Sequence, residues 1–178
     1  MTAARLRRVL LTAVALSALP LLAGCSVPPA GLTGVSVTAD GEPLGVILVC
    51  HDRIDSALLY PDEPAGDPDA EVTADAVEPE YTDVWNSAEP VTGFSSWRLT
   101  SETGDAGWTP DARPRALRPG QLYTLYGATS DNSWSTGHHS FTLEDLAKLS
   151  PGQVRYSVGD LVRTTTVEDF RARACDDF

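Results

Sequence analysis

Hydrophobic and polar positions change rhythm several times along this chain. Val9 to Leu22 is almost unbroken apolar sequence, interrupted only by Thr12, Ser17 and Pro20. From Leu32 to Ala39, Val35, Val37 and Ala39 alternate with Ser36 and Thr38, the period of a half-buried strand. Asp40-Gly41 follows, a pair suited to a tight hairpin turn. Leu44 to His51 then reads as a strand buried on both faces. Leu44, Val46, Leu48 and Cys50 share one face, and Ile47 and Val49 the other. Further strands are predicted at Ser56–Tyr60, Tyr81–Trp85, Phe94–Thr100, Gln153–Ser157 and Leu161–Thr165. Trp97 and Leu99 fall on one face of their strand.

Two short helices punctuate this β pattern. Thr142 caps a segment whose Leu143, Leu146 and Leu149 make one face, with Asp145 at the third helical position. Thr166-x-x-Asp169 repeats the device and opens a C-terminal helix that carries Phe170 and ends near Cys175. Pro61 to Glu80 differs from everything around it: eight acidic residues, no basic one and four prolines. Such a segment buries too little apolar surface to offset the entropy of ordering, so a long solvated loop is expected. Its Asp67-x-Asp69-x-Glu71 lacks the glycine turn and closing glutamate of an EF-hand, so it reads as a solvated loop rather than a calcium site. The pattern predicts one mainly β, sandwich-like domain over residues 32–178, with two short helices and an acidic loop at 61–80.

The N-terminal apolar run follows Arg5, Arg7 and Arg8, and no acidic residue appears before Asp40. It is too short to span a bilayer and has the length of a signal-peptide core. It ends in Leu22-Ala23-Gly24-Cys25, which resembles the lipobox of bacterial lipoprotein precursors. That resemblance implies cleavage of residues 1–24, lipidation of Cys25, a tether over 25–31 and anchorage to the extracytoplasmic face of the cell membrane. With Cys25 committed to lipid, Cys50 and Cys175 remain in an oxidising compartment, where a disulfide is the natural reading and two buried thiols the alternative. No CxxC pair is present.

Charge narrows the partners. Removing residues 1–24 takes away three of 13 basic residues and none of the 25 acidic ones, leaving a net charge of −15. A surface of that sign repels nucleic acid. Twelve of the basic residues are arginine and one is Lys148. With the abundance of alanine, this bias reflects a GC-rich genome, and the chain resembles small, uncharacterised lipoproteins of high-GC Gram-positive bacteria. Leu117-Arg118-Pro119-Gly120-Gln121-Leu122-Tyr123 resembles the tyrosine corner of fibronectin-type and immunoglobulin-like sandwiches. That likeness implies a hydroxyl of Tyr123 bonded to a backbone group just upstream, and a central strand over Gln121–Ser130. Leu149-Ser150-Pro151-Gly152-Gln153 reads as the same turn used again.

The chemistry is sparse. HExxH, GxSxG, P-loop and GxGxxG motifs are absent, and neither a cofactor nor a metal is expected. His138 and His139 are adjacent, so on a strand they face opposite ways and cannot grip one metal. Trp85, Trp97, Trp108 and Trp134 are candidate stacking platforms for sugars or, more simply, core and edge residues. Trp134 lies among Asn132, Ser133, Ser135 and Gly137 and is expected to be exposed. The candidate ligand contacts are therefore Trp134, His138, His139 and His51. The leading reading is a non-catalytic binding or interaction module taking a cell-envelope ligand or protein. The alternatives are a hydrolase or metal-dependent enzyme around His51, His138 and His139, or a structural envelope component. A shared pocket holding all three histidines favours the enzyme; scattered histidines beside an exposed aromatic groove favour binding.

Overall fold

In a computed structural model, residues 27–62 and 83–178 are described. The expected signal peptide, Cys25 and nearly all of the acidic loop lie outside them. The strands in chain order are β1 (Pro29–Val37), β2 (Pro43–Val49), β3 (Ile54–Pro61), β4 (Asp83–Val91), β5 (Phe94–Arg98) and β6 (Trp108–Pro110). After these come β7 (Tyr123–Ala128), β8 (Ser135–Thr136), β9 (His139–Phe141), β10 (Gln153–Val158) and β11 (Leu161–Thr166). Helix α1 (Leu143–Leu146) is a single turn, α2 spans Val167–Arg173, and a 3-10 turn covers Ala174–Asp177. The fold is mainly β and sandwich-like, as the periodicity predicts.

Strand pairing links the eleven described strands into one continuous sheet, folded so that its two halves face each other as two sheets. One runs β11-β10-β1-β2-β5; the other has β7 and β3 at its centre, with β4 and β6 beyond β3 and β9 beside β7. They are joined by β8, which pairs antiparallel with β7 and parallel with the start of β1. On the opposite side, β5 and β6 are bridged by side chains. Trp97 stacks on Trp108 at 4.6 Å, and the Trp108 indole N–H donates to Ser95 Oγ at 2.8 Å. The result is a sandwich closed by hydrogen bonds along one edge and by tryptophans along the other.

The first hairpin forms where expected. Gly41 takes φ +80°, and its N–H donates to the Thr38 carbonyl at 3.0 Å. The two buried faces of β1 and β2 belong to two different cores. Val35, Val37, Ile47 and Val49 face the second sheet. Leu32, Val46 and Leu48 face α2, where Phe170 and Ala174 cover them together with Val154 and Tyr156. The Cys50–Cys175 disulfide, with Cα atoms 5.6 Å apart, closes this smaller core.

Several boundaries differ from expectation. The segment Pro29-Ala30-Gly31, assigned to the tether, is already β1: Gly31 pairs with Val49 and the Ala30 carbonyl accepts from Cys50 and His51. Pro61, assigned to the loop, ends β3 opposite Tyr123. Strands β6, β8 and β9 were not predicted. Both helix caps are as expected, and at α1 the Thr142 and Asp145 side chains each bond the other's backbone N–H. Both L-x-P-G-Q segments form turns with glycine at positive φ, +75° at Gly120 and +84° at Gly152, each closed by a glutamine N–H to the carbonyl three residues earlier.

A candidate ligand groove on the outer face of the second sheet

The predicted site residues do not come together. His51 lies beside Phe178, their rings 5.8 Å apart. His139, on β9, is fully buried, with Nδ1 2.9 Å from Ser157 Oγ on β10 and Nε2 without a hydrogen-bond partner. Burial, then the charge of Arg155, lowers its pKa to about 4, against a weaker opposing pull from Asp145. His138 is exposed on the opposite face, its ring 4.5 Å from that of Tyr126. Among the described residues, no group of three or more His, Cys, Asp and Glu is placed to hold a metal ion.

Tryptophan is likewise redistributed. Trp85, Trp97 and Trp108 are all buried in the main core, where indole burial and aromatic packing favour them over any solvent platform. Trp134, expected to be exposed, is half-buried against that core.

Tyrosines take the outward positions instead. Strand alternation sends Leu59 and Leu125 into the core and leaves Leu58, Tyr60 and Tyr126 on the outer face, where Leu58 sits directly opposite Tyr126 across the β3–β7 ladder. Tyr60 meets Tyr126 edge-on at 6.1 Å, and Tyr126 meets His138, giving a row of three rings. The row forms the side of an open groove of about 460 Å³, completed by Leu58, Asn132, Ser135 and Val27. Alternation gives a partial signal: Tyr126 lies one step from inward Leu125 and Tyr60 one step from inward Leu59, although Leu58 shares the outer phase with Tyr60.

The turn at the groove's end is held in place. The Thr129 side-chain oxygen accepts the N–H groups of Ser133 and Trp134, both at 2.9 Å, and Asn132 takes φ +56°. Asp131 accepts from the Ser133 N–H and hydroxyl and pairs with Arg53 at 3.7 Å. The Ser133 hydroxyl above all, then Thr129, brings the Asp131 carboxyl down to about 2. At the other end, burial first and then the Asp62 carboxylate raise the Tyr60 phenol above its ordinary range. By contrast, the Tyr126 hydroxyl, the His138 ring, the Asn132 amide and the Ser135 hydroxyl make no hydrogen bond within the described residues. A rigid frame thus presents three rings and four unengaged polar groups to solvent.

No protein-family model, curated protein or solved structure matches this chain. The groove's chemistry therefore stands on its own geometry.

Proposed function

We propose that this protein is a lipid-anchored, extracytoplasmic binding module whose ligand, a neutral glycan, lies along the Tyr60–Tyr126–His138 groove. The observation that carries this reading is the row of rings flanked by unengaged polar groups. Rings offer flat apolar faces to the C–H faces of sugars, and the amide, imidazole and hydroxyls supply hydrogen bonds around them. A net charge of −15 after loss of residues 1–24 disfavours anionic polymers and leaves neutral ones unopposed. The histidines are scattered beside an aromatic groove, which supports binding over catalysis by His51, His138 and His139. Pairing of Cys50 with Cys175 agrees with an exported location. Val27 lines the groove two residues beyond Cys25. Only four residue steps separate a lipidated Cys25 from Pro29, a reach of about 14 Å, so the groove would rise from the membrane surface itself.

The test is co-sedimentation of the full-length protein with insoluble cell-wall polysaccharide. Tyr126→Ala and Tyr60→Ala should each weaken retention about tenfold, while His51→Ala should leave it unchanged. Undiminished retention of both tyrosine variants would remove the groove from the proposal. Separately, Cys25→Ser should abolish lipid labelling and release the protein from membranes.

A further inference from the structure

A second cavity, of about 280 Å³, opens at the far end of the domain from the start of β1. Strand directions place it there: β3 ends at Pro61, β4 begins at Asp83 and β7 begins at Tyr123, all of which line it. Its base is apolar, formed by buried Leu59 and half-buried Leu117. The Tyr123 hydroxyl is already engaged by the Arg118 N–H at 2.8 Å, so it closes the base rather than offering a contact.

Both signs of charge line the mouth, and Asp83 accepts the Arg115 N–H there. Arg115 and Arg118 come from the segment between β6 and β7, and Asp62 and Asp83 from the ends of β3 and β4. The Arg118 guanidinium is exposed and makes no ion pair among the described residues, whereas those of Arg98, Arg113, Arg155 and Arg173 all do. Asp83 is half-buried; desolvation raises its carboxyl above the ordinary range against the pull of the Arg115 N–H and charge. A lone anion drawn to the arginines is repelled by the aspartates, and a lone cation meets the reverse. Only a ligand with both charges and an apolar body between or beside them satisfies the whole cavity.

We propose that this cavity is a second binding site, for a zwitterionic amino acid or short peptide, with its carboxylate on Arg118, its ammonium toward Asp83 and its apolar side chain on Leu59 and Leu117. The volume has room for roughly one or two residues. This site is independent of the groove and of the lipid anchor.

Calorimetric titration of the full-length protein in detergent micelles tests it, with leucyl-leucine, N-acetyl-leucyl-leucine and leucyl-leucinamide as probes. The unblocked dipeptide should bind, and either blocked form should bind at least tenfold more weakly. Arg118→Gln keeps the backbone N–H that holds Tyr123. It should weaken the dipeptide tenfold or more and remove its advantage over leucyl-leucinamide. Tyr126→Ala, in the groove, should bind the dipeptide normally. Absence of binding by all three probes, equal binding of blocked and unblocked forms, or full affinity in Arg118→Gln would each overturn the proposal.

Discussion

At the scale of single residues, His138 and His139 are neighbours in sequence with opposite surroundings, and the difference sets the response to acid. Unfolded, His139 takes up a proton near pH 6.5; folded, it does so only near 4. Between those values the unfolded chain binds more protons, so the stabilising contribution is complete above 6.5 and is lost as pH falls toward 4. The full loss is on the order of 3 kcal/mol. At Asp145, burial works to raise the carboxyl, but the Thr142 N–H, Arg155 and Lys148 together hold it lower, so its contribution fails only at more acidic pH. Denaturant melts from pH 7.5 to 4 should therefore show a steady decline that His139→Asn flattens, whatever that variant's absolute stability. An unchanged slope would assign the acid response elsewhere. Tyr123 is the second residue whose role reduces to one bond. The sequence motif anticipates a link from its hydroxyl to the backbone, and the partner is a donor: the Arg118 N–H donates a hydrogen bond to the phenol oxygen. Tyr123→Phe leaves that N–H unmet and should cost about 0.5–1.5 kcal/mol. Tyr126→Phe loses a hydroxyl with no partner among the described residues and should cost less. Equal midpoints for the two variants would make the corner irrelevant to stability.

At the scale of elements, legibility follows length and chemistry. Strands such as β3 and β7 are readable because burial favours one face over the other, whereas β1 shows alternation of Val35 and Val37 with Ser36 even though the fold buries both its faces. Both helix starts are readable because a capping side chain must sit at a fixed spacing from its partner. The strands β6, β8 and β9 are two or three residues long and exist because neighbours offer them hydrogen bonds; nothing in Trp108–Pro110 or Ser135–Thr136 announces a strand by itself. Core packing of Trp97 is legible as the simpler reading of the tryptophans, but the full burial of Trp85 and Trp108 is not, since their contacts come from β4, β5 and β6 meeting at one edge. The same crowding makes one glycine indispensable. A Cβ at Gly45 would stand 2.6 Å from the Trp97 ring, whereas at Gly93, just before β5, it would meet nothing within 4 Å. Gly45→Ala should thus destabilise by about 1–3 kcal/mol, with Gly93→Ala close to neutral. Comparable losses at both positions would mean that chain entropy, and not the indole, sets the requirement.

At the scale of the whole molecule, the two cores differ in how they are held. The larger lies between the sheets, with hydrogen-bonded strands along one edge and stacked indoles along the other. The smaller depends on α2, only seven residues long, lying against the β1–β2 hairpin through Phe170, with Ala174 of the following 3-10 turn beside it. A helix of that length has little stability of its own in water. Its position is fixed by the Cys50–Cys175 bond, which spans a sequence separation of 125 residues. Chain-entropy arguments give a link of that span up to about 5 kcal/mol against the unfolded state, an upper bound. Oxidised protein should show no free thiol at either cysteine under denaturing alkylation. Reduction should have an uneven effect. Hydrogen exchange should quicken first across 167–175, where helix and disulfide act together, and then in the strand residues beneath, Val154 and Tyr156. Amides of Leu59 and Leu125, within the larger core, should keep their protection under the same conditions. Uniform loss of protection across both cores on reduction would show a single cooperative unit in which the bond stabilises the whole sandwich rather than its smaller half.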